Sequence, residues 1–96
     1  MKREVQVLPE ATAEVAEIYA WYERERSGLG ERFMEVLGEC YSALSENPFR
    51  QKRKGDFRHA ILQSFPYRVV YEVRNDTVVV YQVRHMSRKP HRRFGP

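Results

Sequence analysis

FPYRVVYEVRNDTVVVYQVRHMSRKPHRR, residues 65–93, is the stretch that decides the fold. Two runs rich in valine and tyrosine flank a short Asn75-Asp76 turn, and a basic segment follows them. Asparagine and aspartate tolerate the positive φ angles of tight hairpin turns, so this pattern predicts two antiparallel strands in the middle of a sheet. Arg68 and Arg84 interrupt these largely apolar runs, and apolar packing does not explain a charged side chain at either position.

Alternation along the first strand predicts which residues share a face. Tyr67, Val69, Tyr71 and Val73 should pack on the rest of the fold, leaving Arg68 on the other face with Val70 and Glu72. Strict alternation along the second strand groups Val79, Tyr81 and Val83 on one face, and Val78, Val80, Gln82 and Arg84 on the other. If the register permits, Arg68 and Arg84 therefore project from one polar surface.

Patterns on the N-terminal side predict one strand and two helices. Residues 3–8 alternate as a short strand, and Pro9 suits the first turn of a helix. The helix that follows has apolar residues at helical spacing: Ala11, Val15, Ile18 and Tyr22. Gly28 and Gly30 predict a turn into a second helix, which Asn47-Pro48 should end. Its apolar stripe is Phe33, Val36, Leu37, Cys40, Tyr41 and Leu44.

Residues 49–63 connect the helices to the central hairpin. We interpret residues 49–55 as an exposed basic loop, and residues 56–63 as a third strand with Phe57, Ala60, Ile61 and Leu62 buried. The predicted fold is therefore α+β, a single domain over residues 1–96 in the order β-α-α-β-β-β. A helical hairpin packs on a small antiparallel sheet, and residues 86–96 form a basic tail.

The composition argues against a membrane protein, a secreted protein and a metalloprotein. The 96 residues are 42% hydrophobic and 31% charged, and no apolar run approaches the ~20 residues that span a bilayer. The N-terminus also lacks the apolar core of a secretory signal, so we expect a cytoplasmic protein without membrane contact. The single cysteine and the three histidines do not follow metal-ligand spacing, which predicts no metal and no cofactor.

Charge is divided unevenly along the chain. Residues 1–50 hold six Lys/Arg and ten Asp/Glu, a net charge of −4, whereas residues 51–96 hold eleven and three, a net charge of +8. A half this basic favours a polyanionic partner, although a solvated basic surface gives the same count.

Several basic residues are candidates for one binding surface. Lys52, Arg53, Lys54 and Arg58 from the third strand and its preceding loop, and Arg88 from the tail, can join Arg68 and Arg84. Such a surface suits phosphate groups, as in a metal-free ribonuclease, or an acidic polypeptide. His85 and His59 are the candidates for proton transfer, with a structural role as the alternative for each.

In combination, these motifs resemble toxins of the RelE/ParE superfamily, which belong to bacterial type II toxin–antitoxin modules and are often called plasmid stabilisation proteins. The resemblance covers essentially the whole chain. It is carried by the Pro9-x-Ala11 helix start, the helix end at Leu44-x-x-x-Pro48, residues 65–73 (FPYRVVYEV), and the ending Val83-Arg84-His85-x-x-Arg88-x-Pro90 with a terminal aromatic, Phe94.

The resemblance implies a cognate antitoxin that wraps and neutralises the toxin, and two possible targets. RelE-like members cut mRNA in the ribosomal A site with arginines, lysines and a C-terminal tyrosine. Arg68 and Arg88 match two of those arginines, and Lys52 and Lys54 fall loosely where the lysines lie. Phe94 stands at the tyrosine position, and it has no hydroxyl to exchange a proton. ParE-like members instead poison DNA gyrase, and the long helical hairpin resembles theirs.

Three hypotheses follow from the sequence. The first is a ParE-like toxin that inhibits growth by binding a target such as DNA gyrase and forms a hetero-oligomer with its antitoxin. The second is a RelE-like, metal-independent endoribonuclease acting on ribosome-bound mRNA, in which Arg68, Arg84 and Arg88 hold phosphates and His85 carries the proton. The third is a non-toxic basic binding module.

Overall fold

A computed structural model describes residues 2–51 and 53–87, apart from the side chains of Arg53 and Lys54. The elements follow in chain order: β1 (Glu4–Val7), α1 (Pro9–Glu25), α2 (Leu29–Glu46), β2 (Arg53–Lys54), β3 (Phe57–Ile61), β4 (Tyr67–Arg74) and β5 (Thr77–His85). The α+β class and the order of the main elements are confirmed. The prediction of residues 49–55 as loop was wrong at β2, a two-residue strand that pairs with the start of β3.

The sheet has the strand order β1-β5-β4-β3-β2, in which β3, β4 and β5 form the predicted antiparallel meander. Asn75 has a φ of 55°, the left-handed conformation expected for the hairpin turn. The first strand, β1, runs parallel to β5 and pairs Val5 with Val78 and Val7 with Val80. Because β1 has four residues and β5 has nine, β1 covers only the first half of the β5 edge.

A β-bulge in β5 decides which residues share a face of the sheet. Val70 pairs with Gln82 and Tyr71 pairs with Val80, so Tyr81 is the extra residue. The predicted strict alternation was therefore wrong before the bulge: Val78 and Val80 lie in the core with Tyr71, instead of on the face of Arg68. After the bulge the phase shifts, and Gln82 and Arg84 do share the face of Arg68, as predicted.

The two helices cover one face of the sheet, which we call the inner face; the opposite face is the outer face. The predicted stripe of α1 is buried, as are Phe33, Val36, Leu37 and Leu44 of α2. Rings of Tyr22, Phe33, Phe65 and Tyr67 meet at centroid distances of 5.2–6.3 Å between the helices and the sheet. Edge-on aromatic pairs add to the burial of apolar area, so this cluster anchors the hairpin on the sheet.

Glu23 organises the turn between the helices. Its carboxylate accepts hydrogen bonds from the Gly28 amide at 3.3 Å and the Gly30 amide at 2.7 Å, at the N-terminal end of α2. A negative charge there satisfies free amides and complements the positive end of the helix dipole. Gly28 supplies the left-handed turn with φ of 90°, and a side chain on Gly30 would collide with Tyr19 and Glu23.

Within the described ranges, no helix is both long and apolar enough to cross a membrane.

Candidate functional site

Arg68 and Arg84 are direct cross-strand neighbours, because β4 and β5 pair them in register. Paired residues project to the same side of a sheet, and Val69 and Val83, the next pair along, lie in the core. The two arginines therefore belong to the outer face. Arg68 is 9% exposed and Arg84 is half-buried, so both charges are largely withdrawn from solvent. We call these two residues the arginine pair.

The surroundings of the arginine pair combine apolar and polar groups. Val70 and Val79 are buried on the outer face as well, at 0% and 7% exposure. Phe57 meets Tyr81 edge-on at 5.1 Å, and the Tyr81 hydroxyl donates to the Glu72 carboxylate at 3.1 Å. Burial raises the pKa of Tyr81 and the bond to Glu72 raises it further, so the hydroxyl is a poor base at neutral pH.

Gln82 joins the arginine pair to the first turn of α1. The Arg84 Nη1 donates to Gln82 Oε1 at 2.9 Å, and Gln82 Nε2 donates to the Glu10 carboxylate at 2.8 Å. Gln82 is 6% exposed. Beside it, the Val83 amide donates to the Glu14 carboxylate at 2.8 Å. Two carboxylates one helical turn apart thus hold the part of the β5 edge that β1 does not reach.

His85 lies on the opposite side of the sheet from the arginine pair. It follows Arg84 in an extended strand and pairs with Tyr67, whose ring it meets edge-on at 5.1 Å on the inner face. The Ser87 amide donates to His85 Nδ1 at 3.1 Å, which makes Nδ1 an acceptor and leaves the proton of a neutral ring on Nε2. The Ser87 hydroxyl is 2.7 Å from the same nitrogen.

A groove of about 450 Å³ separates α1 from the C-terminal half of β5. His85 lines this groove with Tyr67, Glu14, Glu17 and the half-exposed Trp21. Arg84 also reaches its wall. The groove therefore lies between the sheet and the acidic side of α1, and Arg84 is the member of the arginine pair that reaches it from the outer face.

The remaining predicted site residues are dispersed. Arg58 pairs with Tyr71 and lies on the inner face, where it donates to the Gln51 carbonyl and its guanidinium lies 5.3 Å from the Phe49 ring. The expectation that Arg58 joins the arginine pair was therefore wrong. His59 lies on the outer face and is buried at 8% exposure, whereas Ile61, predicted to be buried, is 65% exposed. Ile61 pairs with Arg68, so β3 alternation turns it outward.

The other basic candidates fall outside the described part of the chain. Lys52 and Arg88, and the aromatic Phe94, are outside the described residues, as are the side chains of Arg53 and Lys54. The sequence reasoning missed Glu10 and Gln82. A four-residue strand beside a nine-residue strand would have indicated that the β5 edge needs side-chain partners, but the pairing of β1 with β5 was not predicted.

Residues 2–51 and 53–87 give little indication of a metal site or a reactive cysteine. No group of three or more His, Cys, Asp or Glu residues there is arranged to hold a metal ion. Burial raises the pKa of the Cys40 thiol to about 11, so the thiol stays protonated at neutral pH. Cys40 is accordingly a packing residue of α2.

Comparison with known proteins gives a family and a fold. A family model described as the ParE toxin of the type II toxin–antitoxin system parDE matches residues 5–90. A solved structure from P. aeruginosa, described as the chromosomal ParDE toxin–antitoxin system, superposes with a TM-score of 0.79 at 12% sequence identity. The match covers 90% of this chain and 98% of the P. aeruginosa chain. The search of curated protein sequences gave no significant match.

Proposed function

Because the chain belongs to the ParE toxin family of type II toxin–antitoxin systems, we propose that it inhibits growth by binding an essential target, DNA gyrase, and that a cognate antitoxin neutralises it. One observation carries the choice of binding over catalysis. Of the two candidate proton carriers, His85 lies on the opposite face of the sheet from the arginine pair and shares only a groove wall with Arg84, and His59, on the same face as the pair, is buried at 8% exposure. A ribonuclease needs its phosphate-holding and proton-transferring groups around one phosphodiester.

The arginine pair is suited to hold an anionic group. Two guanidinium groups on one face attract phosphates or carboxylates, and Arg binds both in bidentate geometry. Partial burial strengthens this attraction, because the local dielectric constant is lower than that of water. The Tyr81 hydroxyl on this face donates a hydrogen bond to Glu72. The outer face thus provides positive charge to which an anionic group of a partner can bind.

The proposal extends to the antitoxin and the location. The antitoxin should cover the helical hairpin and the outer face together, forming a hetero-oligomer that buries the arginine pair. Gyrase is a cytoplasmic enzyme, so the protein acts in the cytoplasm, and a plasmid carrying the pair of genes is stabilised. The neighbouring reading frame is the place to look for this antitoxin.

Regulated expression in bacteria tests the proposal. Expression without antitoxin should arrest growth, and co-expression of the neighbouring frame should relieve the arrest. A gyrase cleavage-complex assay with purified protein should show stabilised DNA breaks, and primer extension on translated mRNA should show no A-site cuts. Cuts in the A site would overturn the binding mechanism in favour of the RelE-like ribonuclease. Absence of arrest would favour the non-toxic binding module.

Substitutions connect the activity to the arginine pair. Arg68→Ala and Arg84→Ala should each abolish or strongly weaken growth arrest, since each removes one charge from the anion-binding face. Arg74→Ala is the matched control, because Arg74 is exposed at the hairpin tip and pairs with Glu72 at 3.3 Å. Equal arrest by all three variants would remove the arginine pair from the mechanism. Circular dichroism should confirm that each variant is folded.

A further inference from the structure

The groups that hydrogen-bond to the edge of β5 change halfway along the strand. The last backbone link to the β1 side is the Leu8 amide, which donates to the Val80 carbonyl at 3.0 Å. Beyond this point α1 takes over: Glu14 accepts from the Val83 amide, and Glu10 accepts from the Gln82 side chain. The segment that carries Arg84 is therefore attached to α1 through side chains.

Two neighbours, Glu10 and Arg84, fix the orientation of the Gln82 amide. A carboxylate only accepts hydrogen bonds and a guanidinium only donates them. The Gln82 nitrogen must therefore face Glu10 at 2.8 Å, and its oxygen must face Arg84 at 2.9 Å. A flipped amide would oppose donor to donor and acceptor to acceptor at 6% exposure, where water offers little replacement. Gln82 is thus held in one orientation.

An amide at this position orients Arg84 without neutralising it. Like charges placed directly opposite each other in a sheet repel, so the arginine pair needs a partner that keeps it together. A carboxylate at position 82 would form an ion pair with Arg84 and compete with an anionic ligand. The neutral amide gives Arg84 an acceptor, and the negative charge of Glu10 stands one hydrogen bond further away.

We infer that Gln82, anchored by Glu10, is a positioning residue that holds the Arg84 guanidinium beside Arg68 for an anionic group of the target. This rests on the proposed function, in which the arginine pair engages that target. Gln82 acts only through Arg84 and has no contact with the target itself. The inference gives the first turn of α1 a supporting role, because Glu10 holds Gln82 in place.

Chemical modification of arginine tests the positioning directly. The purified full-length chain is treated with p-hydroxyphenylglyoxal, and modification of Arg84 and Arg74 is followed by peptide mass spectrometry. Gln82→Met keeps the side-chain length but loses both hydrogen bonds. It should raise the Arg84 rate about tenfold, the factor expected when a charged group loses a hydrogen bond, and leave the Arg74 rate unchanged. Gln63→Met, an exposed glutamine in the β3–β4 loop, is the matched control.

Two further variants separate positioning from a general loss of structure. Glu10→Gln should behave like the parent chain, because its amide oxygen still accepts from Gln82, whereas Glu10→Ala should resemble Gln82→Met. Gln82→Glu combined with Glu10→Gln, which avoids two carboxylates in contact, should protect Arg84 from modification and yet weaken growth arrest, because the new carboxylate occupies the guanidinium. A destabilised fold would raise the rate of the half-buried Arg58, on the inner face, together with that of Arg84.

The outcomes distinguish this inference from the proposed function. An Arg84 rate in Gln82→Met equal to the parent rate would overturn the positioning role, whether or not the parent chain arrests growth. Growth arrest by Gln82→Met as strong as the parent arrest would overturn its importance for target binding. If the parent chain arrests nothing, the proposed function fails, while the modification rates still decide whether Gln82 orients Arg84.

Discussion

The two faces of the sheet use the same strands for different purposes. The inner face presents Val69, Tyr71, Val78 and Val80 to the helices, and each of these four side chains is fully buried. The outer face presents the arginine pair, Gln82, His59 and Glu72 around buried Val70. Apolar packing fills the first face, whereas the second combines buried polar groups that hydrogen bonds must satisfy. The contrast shows that the inner face supports the fold, and the proposed function assigns binding to the outer face.

The bulge at Tyr81 makes this division possible. A strand of strict alternation would place either Val78 and Val80 or Gln82 and Arg84 on the wrong face. Because of one extra residue, Val78 and Val80 before the bulge face the core, and Gln82 and Arg84 after it face outward. Tests of the contrast should therefore find stability changes on the helix side and functional changes on the outer face.

Phe33→Ala should have the largest effect on stability. Phe33 is fully buried and meets the rings of Tyr22, Phe65 and Tyr67, so truncation leaves a cavity at the centre of the inner face. The expected loss is about 3–5 kcal/mol in the free energy of unfolding, measured by urea denaturation. Met34→Ala, at 40% exposure on the same helix, should cost less than about 0.5 kcal/mol. Equal losses would contradict the assignment of the inner face.

Gly30→Ala should have an intermediate effect. Its new Cβ would lie 2.8 Å from the Tyr19 carbonyl oxygen and 2.7 Å from Glu23 Cγ, and the backbone oxygen cannot move aside easily. The clash and the disturbed cap of α2 should cost about 1–3 kcal/mol. Gly38→Ala is the matched control, because nothing lies within 4 Å of its new Cβ, and alanine should stabilise that helix by about 0.5–1 kcal/mol. A stabilised Gly30→Ala would contradict the tight approach of the two helices.

Raising the pH should gradually reduce the free energy of unfolding, because Tyr71 and Cys40 are titratable groups buried between the sheet and the helices. Burial raises the pKa of Tyr71 to about 12 and that of Cys40 to about 11. The unfolded chain loses these protons first, so stability is fully present below the ordinary pKa values, 10.0 and 9.0, and falls as pH rises toward 11–12. Tyr71→Phe should flatten this decline in denaturation curves measured between pH 8 and 11.

The same substitution tests the contrast between the faces. At neutral pH, Tyr71→Phe loses the hydrogen bond to the Pro48 carbonyl, at a cost of about 1 kcal/mol. Tyr81→Phe, on the outer face, should flatten the alkaline decline less, because Tyr81 is only half-buried. A decline unchanged in Tyr71→Phe would mean that the inner face does not shield this hydroxyl.

Sequence patterns predicted most of the inner face. Helical spacing identified Ala11, Val15, Ile18 and Tyr22, and the Asn75-Asp76 turn fixed the central hairpin, because both signals are local. They failed where the register between paired strands decides the outcome. No local signal indicates that β5 has a bulge or that Ile61 is turned outward beside Arg68.

The site could be predicted only in part for the same reason. Arg68 and Arg84 were recognised because charges inside an apolar strand conflict with packing, and the register confirmed that they share a face. Arg58 looked equivalent in the sequence, yet its pairing with Tyr71 places it on the inner face. Glu10 and Gln82 are 72 residues apart, so their hydrogen bond depends on tertiary structure alone.

The pairing of β1 with β5 has a consequence for how the chain assembles. Val5 lies beside Val78, so the first strand completes the sheet only after almost the whole described chain is present. The ends of so long a loop meet at a high entropic cost, and parallel pairing adds no short turn to guide them. The helical hairpin can form early from local contacts, while closure of the β1–β5 ladder should be the slow step of folding.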